Sequence, residues 1–240
     1  MTKKVNVYID GFNFYHALQN KIRDKNSKRI KKYQRCNFKK LAEQFLKKGE
    51  KLQKVYFFTA YATRDPETKK RHESYNEALR KSGVDVILGK FNKITRTYRE
   101  KKNTLIDIKF LKDENINCKE ECVVKTMTYA TFEEKETDVN IALKILEEGL
   151  LWNYDNAIVM TGDSDIIPSI KAINRLIKQK RVPIKEFTNI TLPWTKGKMM
   201  RKVCNTHHSI TSKNMELSLL PNTVKINKKK RINIPSEWEW

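Results

Sequence analysis

Four aspartates stand where a folded chain can pool them. Asp10 closes the apolar run VNVYID, Asp138 heads the amphipathic stretch DVNIALKIL, and Asp163 and Asp165 follow the apolar run AIVM. Carboxylates collected from distant parts of a chain repel one another and lose hydration, so a fold that gathers them normally needs a divalent cation to neutralise the cluster. The rest of the chain carries the opposite sign, with a net charge of +22. An acidic pocket on a strongly basic body suggests a metal-dependent enzyme that acts on a polyanion.

Each aspartate also has a plainer use. Asp10 precedes a helical pattern that starts at Phe12 and could simply cap it, and Asp138 has the same option, with Thr137 as a competing cap. In the turn Asp163-Ser164-Asp165 both carboxylates can reach one cation, or one can hold it while the other orients water. Asn13, one helical turn from Asp10, could hold that carboxylate or a phosphate oxygen. Thr161 and Ser164 offer hydroxyls and N–H groups near a helix start, a place for a phosphate or an ordinary turn.

The elements that must position these groups follow from periodicity. Residues 4–9 form an apolar strand and 12–19 carry apolar residues at helical spacing. A basic connection over 21–35 leads to a helix over 37–48, with Phe38, Leu41, Ala42, Phe45 and Leu46 on one face. Residues 54–62 are a buried strand, Pro66 opens a charged helix to 82 with Gly83 as its stop, and 84–91 are a further strand. Over 92–135 the alternation weakens into short β-like pieces, 106–111 and 123–132, around Cys118 and Cys122: a β-hairpin insertion. Thr137 caps a helix over 138–151, whose apolar residues, Val139 and Leu143 among them, suit packing on a sheet. The most apolar strand is 157–160, and Pro168 lies in the first turns of the next helix. A last strand over 181–187 and a helix over 196–204 follow. From about residue 222 the chain reads as an extended basic tail with the run Lys228-Lys229-Lys230-Arg231, leaving 1–221 as one domain and 222–240 as the tail. Strands alternating with helices predict an α/β fold whose mainly parallel sheet is covered on both faces. Ligands bind such sheets beyond the carboxyl ends of the strands, and Asp10 and Asp163 both fall at such ends.

No apolar run approaches the roughly 20 residues of a membrane span, and nothing at the N-terminus has a signal-peptide pattern, so a cytoplasmic protein with reduced thiols is expected. The four cysteines are irregularly spaced. Cys118 and Cys122 invite zinc, but neither Cys36 nor Cys204 is placed near them to complete four ligands. His207 and His208 are adjacent and would face different ways on a helix. Lysines and arginines accompany aromatics at 29–35, with Tyr33, and at 96–102, with Tyr98, mixtures that suit single-stranded RNA as well as a solvated loop.

VYIDGFNFYHAL, EEKETDVNIAL and TGDSDIIPSI together resemble the NYN family, related to the PIN-like nucleases. The first is similar to its strand plus Asp-Gly-x-Asn (Asp10, Gly11, Asn13), the second to its Glu-Lys-x-x-Asp-Val helix start (Glu134, Lys135, Asp138, Val139), and the third to its Thr-Gly-Asp-Ser-Asp element (Thr161 to Asp165) followed by Pro168. The stretch His208-Ser209-Ile210-Thr211 and Leu219-Leu220-Pro221 resemble its late helix and closing leucine-leucine-proline. The resemblance implies a Rossmann-like sheet whose acidic pocket binds Mg²⁺ or Mn²⁺ and cleaves RNA, single-stranded by the charge pattern. Asp10, Asp138, Asp163 and Asp165 would hold one ion or two, and Asp138 or Asp165 would take the proton of an attacking water. The chain departs from the family's Cys-x-x-Cys knuckle, since three residues separate Cys118 from Cys122. Two rivals stay open. One is an RNA-binding or regulatory protein on the same scaffold with an inactive or structural metal site. The other is a phosphohydrolase of small molecules, which would have no use for the +22 charge.

Overall fold

The structure, a computed structural model, describes residues 2–25, 28–61, 66–99, 126–193, 195 and 198–234. In chain order β1 (Lys3–Asp10) is followed by α1 (Gly11–Lys25), α2 (Lys28–Lys31), a 3₁₀ turn (Lys32–Arg35) and α3 (Phe38–Glu43). Next come β2 (Glu50–Thr59), α4 (Pro66–Lys81), β3 (Asp85–Leu88), β4 (Lys90–Arg99) and β5 (Thr126–Lys135). The second half holds α5 (Thr137–Leu150), β6 (Asn156–Met160), α6 (Ile167–Lys178), β7 (Glu186–Thr191), β8 (Thr206–Ser209), α7 (Ser212–Leu217), β9 (Thr223–Lys225) and β10 (Arg231–Asn233).

Six strands make one parallel sheet in the order β3-β2-β1-β6-β7-β8. The chain winds outward from β1 in one direction and from β6 in the other, so the switch in strand order lies between these two neighbours. Strand period sorts the core. Val5, Val7 and Ile9 of β1, Val55 and Phe57 of β2, and Ile158 and Met160 of β6 belong to one buried layer under α1, α3 and α4. Tyr8, Tyr56, Phe58, Ala157 and Val159 belong to the opposite layer, with Ile141 and Ile145 of α5 and Ile170 and Ile173 of α6. Asp10 and Thr161 continue the second parity, so both emerge on the side where α5 begins. The expected α/β architecture with a mainly parallel, doubly covered sheet is what the chain forms.

The insertion is a long antiparallel pair, β4 with β5, from Lys90↔Lys135 to Arg99↔Thr126. The predicted piece over 106–111 and the Cys118/Cys122 pair lie outside the described residues.

Several local expectations are overturned. The basic connection over 21–35 is largely helical, because Ile30 and Tyr33, one turn apart, are buried and anchor it. Tyr33 is thereby removed as a stacking surface, and its hydroxyl donates to Glu216 (2.9 Å). The helix at 37–48 stops at Glu43. Val182 and Ile184 alternate like a strand and are buried, but Pro183 between them has no N–H to donate, and β7 starts only at Glu186. Of the helix expected at 196–204, the described residues from 198 onward hold only a 3₁₀ turn, Met200–Lys202, and His207 and His208 lie on β8 rather than on a helix. Val139 and Leu143 of α5 are solvent-exposed instead of packed on the sheet.

Over residues 222–234 the expected tail is not extended: β9 and β10 form a hairpin, and Ile232 and Ile234 join the buried layer under α1. Burial of each isoleucine is worth about 1.5–3 kcal/mol. Cys36 and Cys204 are buried free thiols, and burial pushes the Cys204 thiol up to about 12. Among the described residues no helix is long and apolar enough to cross a membrane.

Candidate metal centre

Asp10 ends β1 beside Met160, the last residue of β6, since Ile9 pairs with Met160 in the parallel register. It is 2% exposed and its carboxylate is held on three sides. The backbone N–H of Asn13 donates to Oδ1 (2.9 Å), and Asn13 Nδ2 (3.0 Å) and Thr161 Oγ1 (2.8 Å) donate to Oδ2. Asp10 thus caps the first turn of α1 and also lines the acidic recess. Gly11 makes the placement possible. A Cβ there would stand 2.6 Å from the Phe58 carbonyl oxygen and 2.5 Å from the Phe57 ring, so only glycine lets α1 start this close to β2.

The Thr161 hydroxyl that donates to Asp10 accepts the N–H of Asp163 (3.0 Å), and Asp163 Oδ1 accepts the N–H of Asp165 (3.0 Å). A hydrogen-bonded chain therefore runs from the end of β1 through the loop after β6. Buried Thr161 works inside this chain and offers no hydroxyl to solvent, and Asn13 serves the Asp10 carboxylate. Ser164 is exposed, and its carbonyl accepts the N–H of Ile167 at the start of α6.

Asp138 enters from the first turn of α5, where helix polarity favours an acidic side chain. Asp138, Asp163 and Asp165 each present a carboxylate oxygen within 4.8 Å of the others. Asp10 lies outside this triangle but lines the same recess of about 270 Å³ with Asp138, Asp163, Asn13, Phe12, His16 and Glu134.

Glu134 was not singled out as a site residue from the sequence. It sits near the end of β5 and accepts the backbone N–H of Thr137 (3.1 Å), so it caps α5. Thr137, expected to be the cap, instead buries an Oγ1 without a partner, and the residue at the N-cap position, Glu136, takes a left-handed φ of 75°. A carboxylate three residues ahead of a helix N–H was the available signal, hidden in the charge run Glu133-Glu134-Lys135-Glu136. His16, which lines the recess with its ring against that of Phe12, was also missed.

Crowding raises these carboxyls. Burial first, then repulsion from Asp10, Asp163 and Asp165, pushes Asp138 up to about 6. Burial, then Asp138 and Asp10, pushes Glu134 up to about 7, against the opposing pull of the Thr137 N–H and Lys135. Asp10 is raised by burial, with Asp163 adding to it and the bonds from Asn13 and Thr161 opposing. Carboxyls that protonate more readily when folded than when unfolded cost stability as pH rises through the interval between the two values, here from about 4 to about 7, and the whole penalty is present above that. The metal-free Glu134→Gln variant should therefore gain melting temperature over the native protein across about pH 4.5 to 7.5, since glutamine keeps the acceptor for Thr137 and loses the charge. Thermal unfolding at a series of pH values checks this, and a difference that does not change with pH would contradict it.

A family model described as the NYN domain matches residues 4–192. The chain belongs to the NYN domain family. This family is nuclease-like, and the matched span of the NYN domain contains every carboxylate of the recess. No curated protein matches the chain. A crystal structure of a protein of unknown function from Vibrio parahaemolyticus is similar at 16% identity, with a TM-score of 0.49, covering 91% of this chain and 97% of that one.

Proposed function

We propose that this NYN domain is a divalent-metal-dependent endoribonuclease that cleaves single-stranded RNA at the Asp138/Asp163/Asp165 cluster. The observation that carries the reading is the convergence of three carboxylates within 4.8 Å at the switch point of a parallel sheet. The donor set fits a hard cation: oxygen ligands alone, from two elements, with open space in front of them. Mg²⁺ or Mn²⁺ is the ion proposed, held by Asp138, Asp163 and Asp165. A bound ion of this class polarises a phosphoryl oxygen and lowers the pKa of water.

The chain's own residues supply the rest. Asp10, tied by Asn13 and Thr161, fixes the loop that carries Asp163 and adds negative field behind the cluster. Glu134 stands in the recess outside the triangle, and its second oxygen, the one that does not accept the Thr137 N–H, would take the proton of the attacking water in place of Asp138 or Asp165. The basic surface draws the polyanion in.

The test is cleavage of a single-stranded RNA by the native protein with Mn²⁺ and with EDTA, beside Asp163→Asn. Cleavage confined to the native protein with Mn²⁺ is expected, and equal rates for the two proteins would remove the assignment. RNA binding that survives EDTA with no cleavage under any condition would leave a binding protein on this scaffold. Affinity should also fall about 20-fold between about 50 and 200 mM salt if three phosphates are neutralised. A salt-insensitive Kd would argue against a polyanionic substrate.

A further inference from the structure

Phe12 and His16 border two recesses, the acidic one and a second cavity of about 240 Å³ between α1, β2, α4 and the β4–β5 pair. Its walls are rings. Phe38, Phe57 and Tyr75 are buried at its base, with Phe38 and Phe57 stacked at 4.6 Å. Phe91 and Phe132, partly exposed at its mouth, stack at 5.9 Å with their planes 12° apart. On a chain of net charge +22, no Lys, Arg, Asp or Glu among the described residues lines it. His72 in the wall is lowered to about 4 by burial, with Arg71 adding to the effect, and so is neutral at physiological pH.

Beside the rings, Thr59, Thr68 and Thr131 line it, together with two buried amide side chains, Gln34 at 3% exposure and Asn76 at 2%. Oε1 of Gln34 receives no hydrogen bond. A buried acceptor left unpaired has given up water for nothing, unless a ligand brings the donor. The volume is somewhat below the roughly 300–1,000 Å³ of ordinary small-molecule sites, which suits one ring system and not a whole nucleotide.

We infer that this cavity takes an unstacked nucleobase of the RNA strand whose phosphate lies at the neighbouring acidic recess, with a base N–H donated to Gln34 Oε1. The inference rests on the RNA reading of that recess. An uncharged aromatic slot beside a phosphate-handling site matches how single-stranded RNA is read, by stacking on rings and hydrogen bonding to base edges. Phosphate has no cation to meet in the slot, whereas a base meets both rings and an acceptor.

The experiment uses RNA strands of about ten nucleotides, intact or with one abasic residue stepped along the strand. Binding is measured in EDTA and cleavage is mapped with Mn²⁺. Gln34→Met keeps the side chain's length and removes the acceptor. It is expected to weaken binding of intact RNA about tenfold and to raise the melting temperature, because the unpaired oxygen is gone; a merely structural glutamine would not give that opposition. On the native protein, which needs no variant to fold, an abasic residue at one fixed offset should suppress cutting of the linkage beside it. Native cleavage that ignores every abasic position, or equal affinity of native and Gln34→Met for intact RNA, overturns the inference while leaving the nuclease reading intact. An absence of native cleavage together with abasic- and Gln34-dependent binding overturns the nuclease reading and keeps the base site.

Discussion

Replacing Asp138 by asparagine should abolish Mn²⁺-dependent RNA cleavage, by a factor on the order of 10²–10³, and at the same time raise the melting temperature of the metal-free protein at pH 8. Both effects come from one carboxylate. One of its oxygens closes the triangle with Asp163 and Asp165, and asparagine, which keeps an oxygen there but no negative charge, would weaken the proposed hold on a cation. Burial and the repulsion of Asp10, Asp163 and Asp165 push its carboxyl up to about 6, so at pH 8 its charge costs the metal-free fold stability that asparagine restores. Added Mn²⁺ should stabilise the native protein more than the variant, because an ion that binds only the folded state raises its stability by mass action. Thermal unfolding with and without Mn²⁺, beside an RNA cleavage assay, reads all three. A variant that melts lower than the native protein in EDTA would show that Asp138 is a structural cap and no more.

Gly11→Ala is the second large effect expected. The new methyl would be driven into the Phe58 carbonyl and the Phe57 ring, and the backbone oxygen cannot rotate away, so α1 must lift from β2. Overpacking of this kind costs about 1–3 kcal/mol. At roughly 2–4 °C per kcal/mol for a chain of this size, the melting temperature should drop by about 5 °C. Because α1 carries Asn13, whose N–H and amide hold Asp10, activity should fall further than the melting temperature alone predicts. Unchanged melting and unchanged cleavage would mean that the close approach is not needed.

The centre of the sheet and its acidic ends were legible in the sequence because burial on both faces leaves a mainly apolar run, and because Asp10 directly follows one such run while Asp163 and Asp165 come within a few residues of the end of another. Val5 to Ile9 and Ala157 to Met160 are of this kind. The periphery was harder to read. β8 is Thr206-His207-His208-Ser209, an edge strand held by the ladder to β7 rather than by apolar alternation. Ile232 and Ile234 alternate correctly, but the preceding Lys228-Lys229-Lys230-Arg231 made the segment look like a solvated tail. Val182 and Ile184 carried the pattern of a strand and only the packing of one, since Pro183 denies them a ladder. Within the recess, the Asp163–Asp165 turn was plain. Glu134 was not, because a glutamate among charged neighbours looks like a solvated face until Gly89 is seen to let the strand come close: a Cβ on Gly89 would lie 2.5 Å from the Lys135 carbonyl oxygen and 3.2 Å from Glu134 Oε1.

Glu134 and Phe132 stand two positions apart on β5, and Phe91 leans on Phe132 from the partnering strand. Successive odd or even positions of a strand share a face, so one ribbon supplies an acid to the first hollow and an aromatic wall to the second. Phe91 and Phe132 line the second hollow and Glu134 the first, so the two share a wall beside the root of the ribbon at Lys90 and Lys135, and a substitution that shifts this wall acts on both at once.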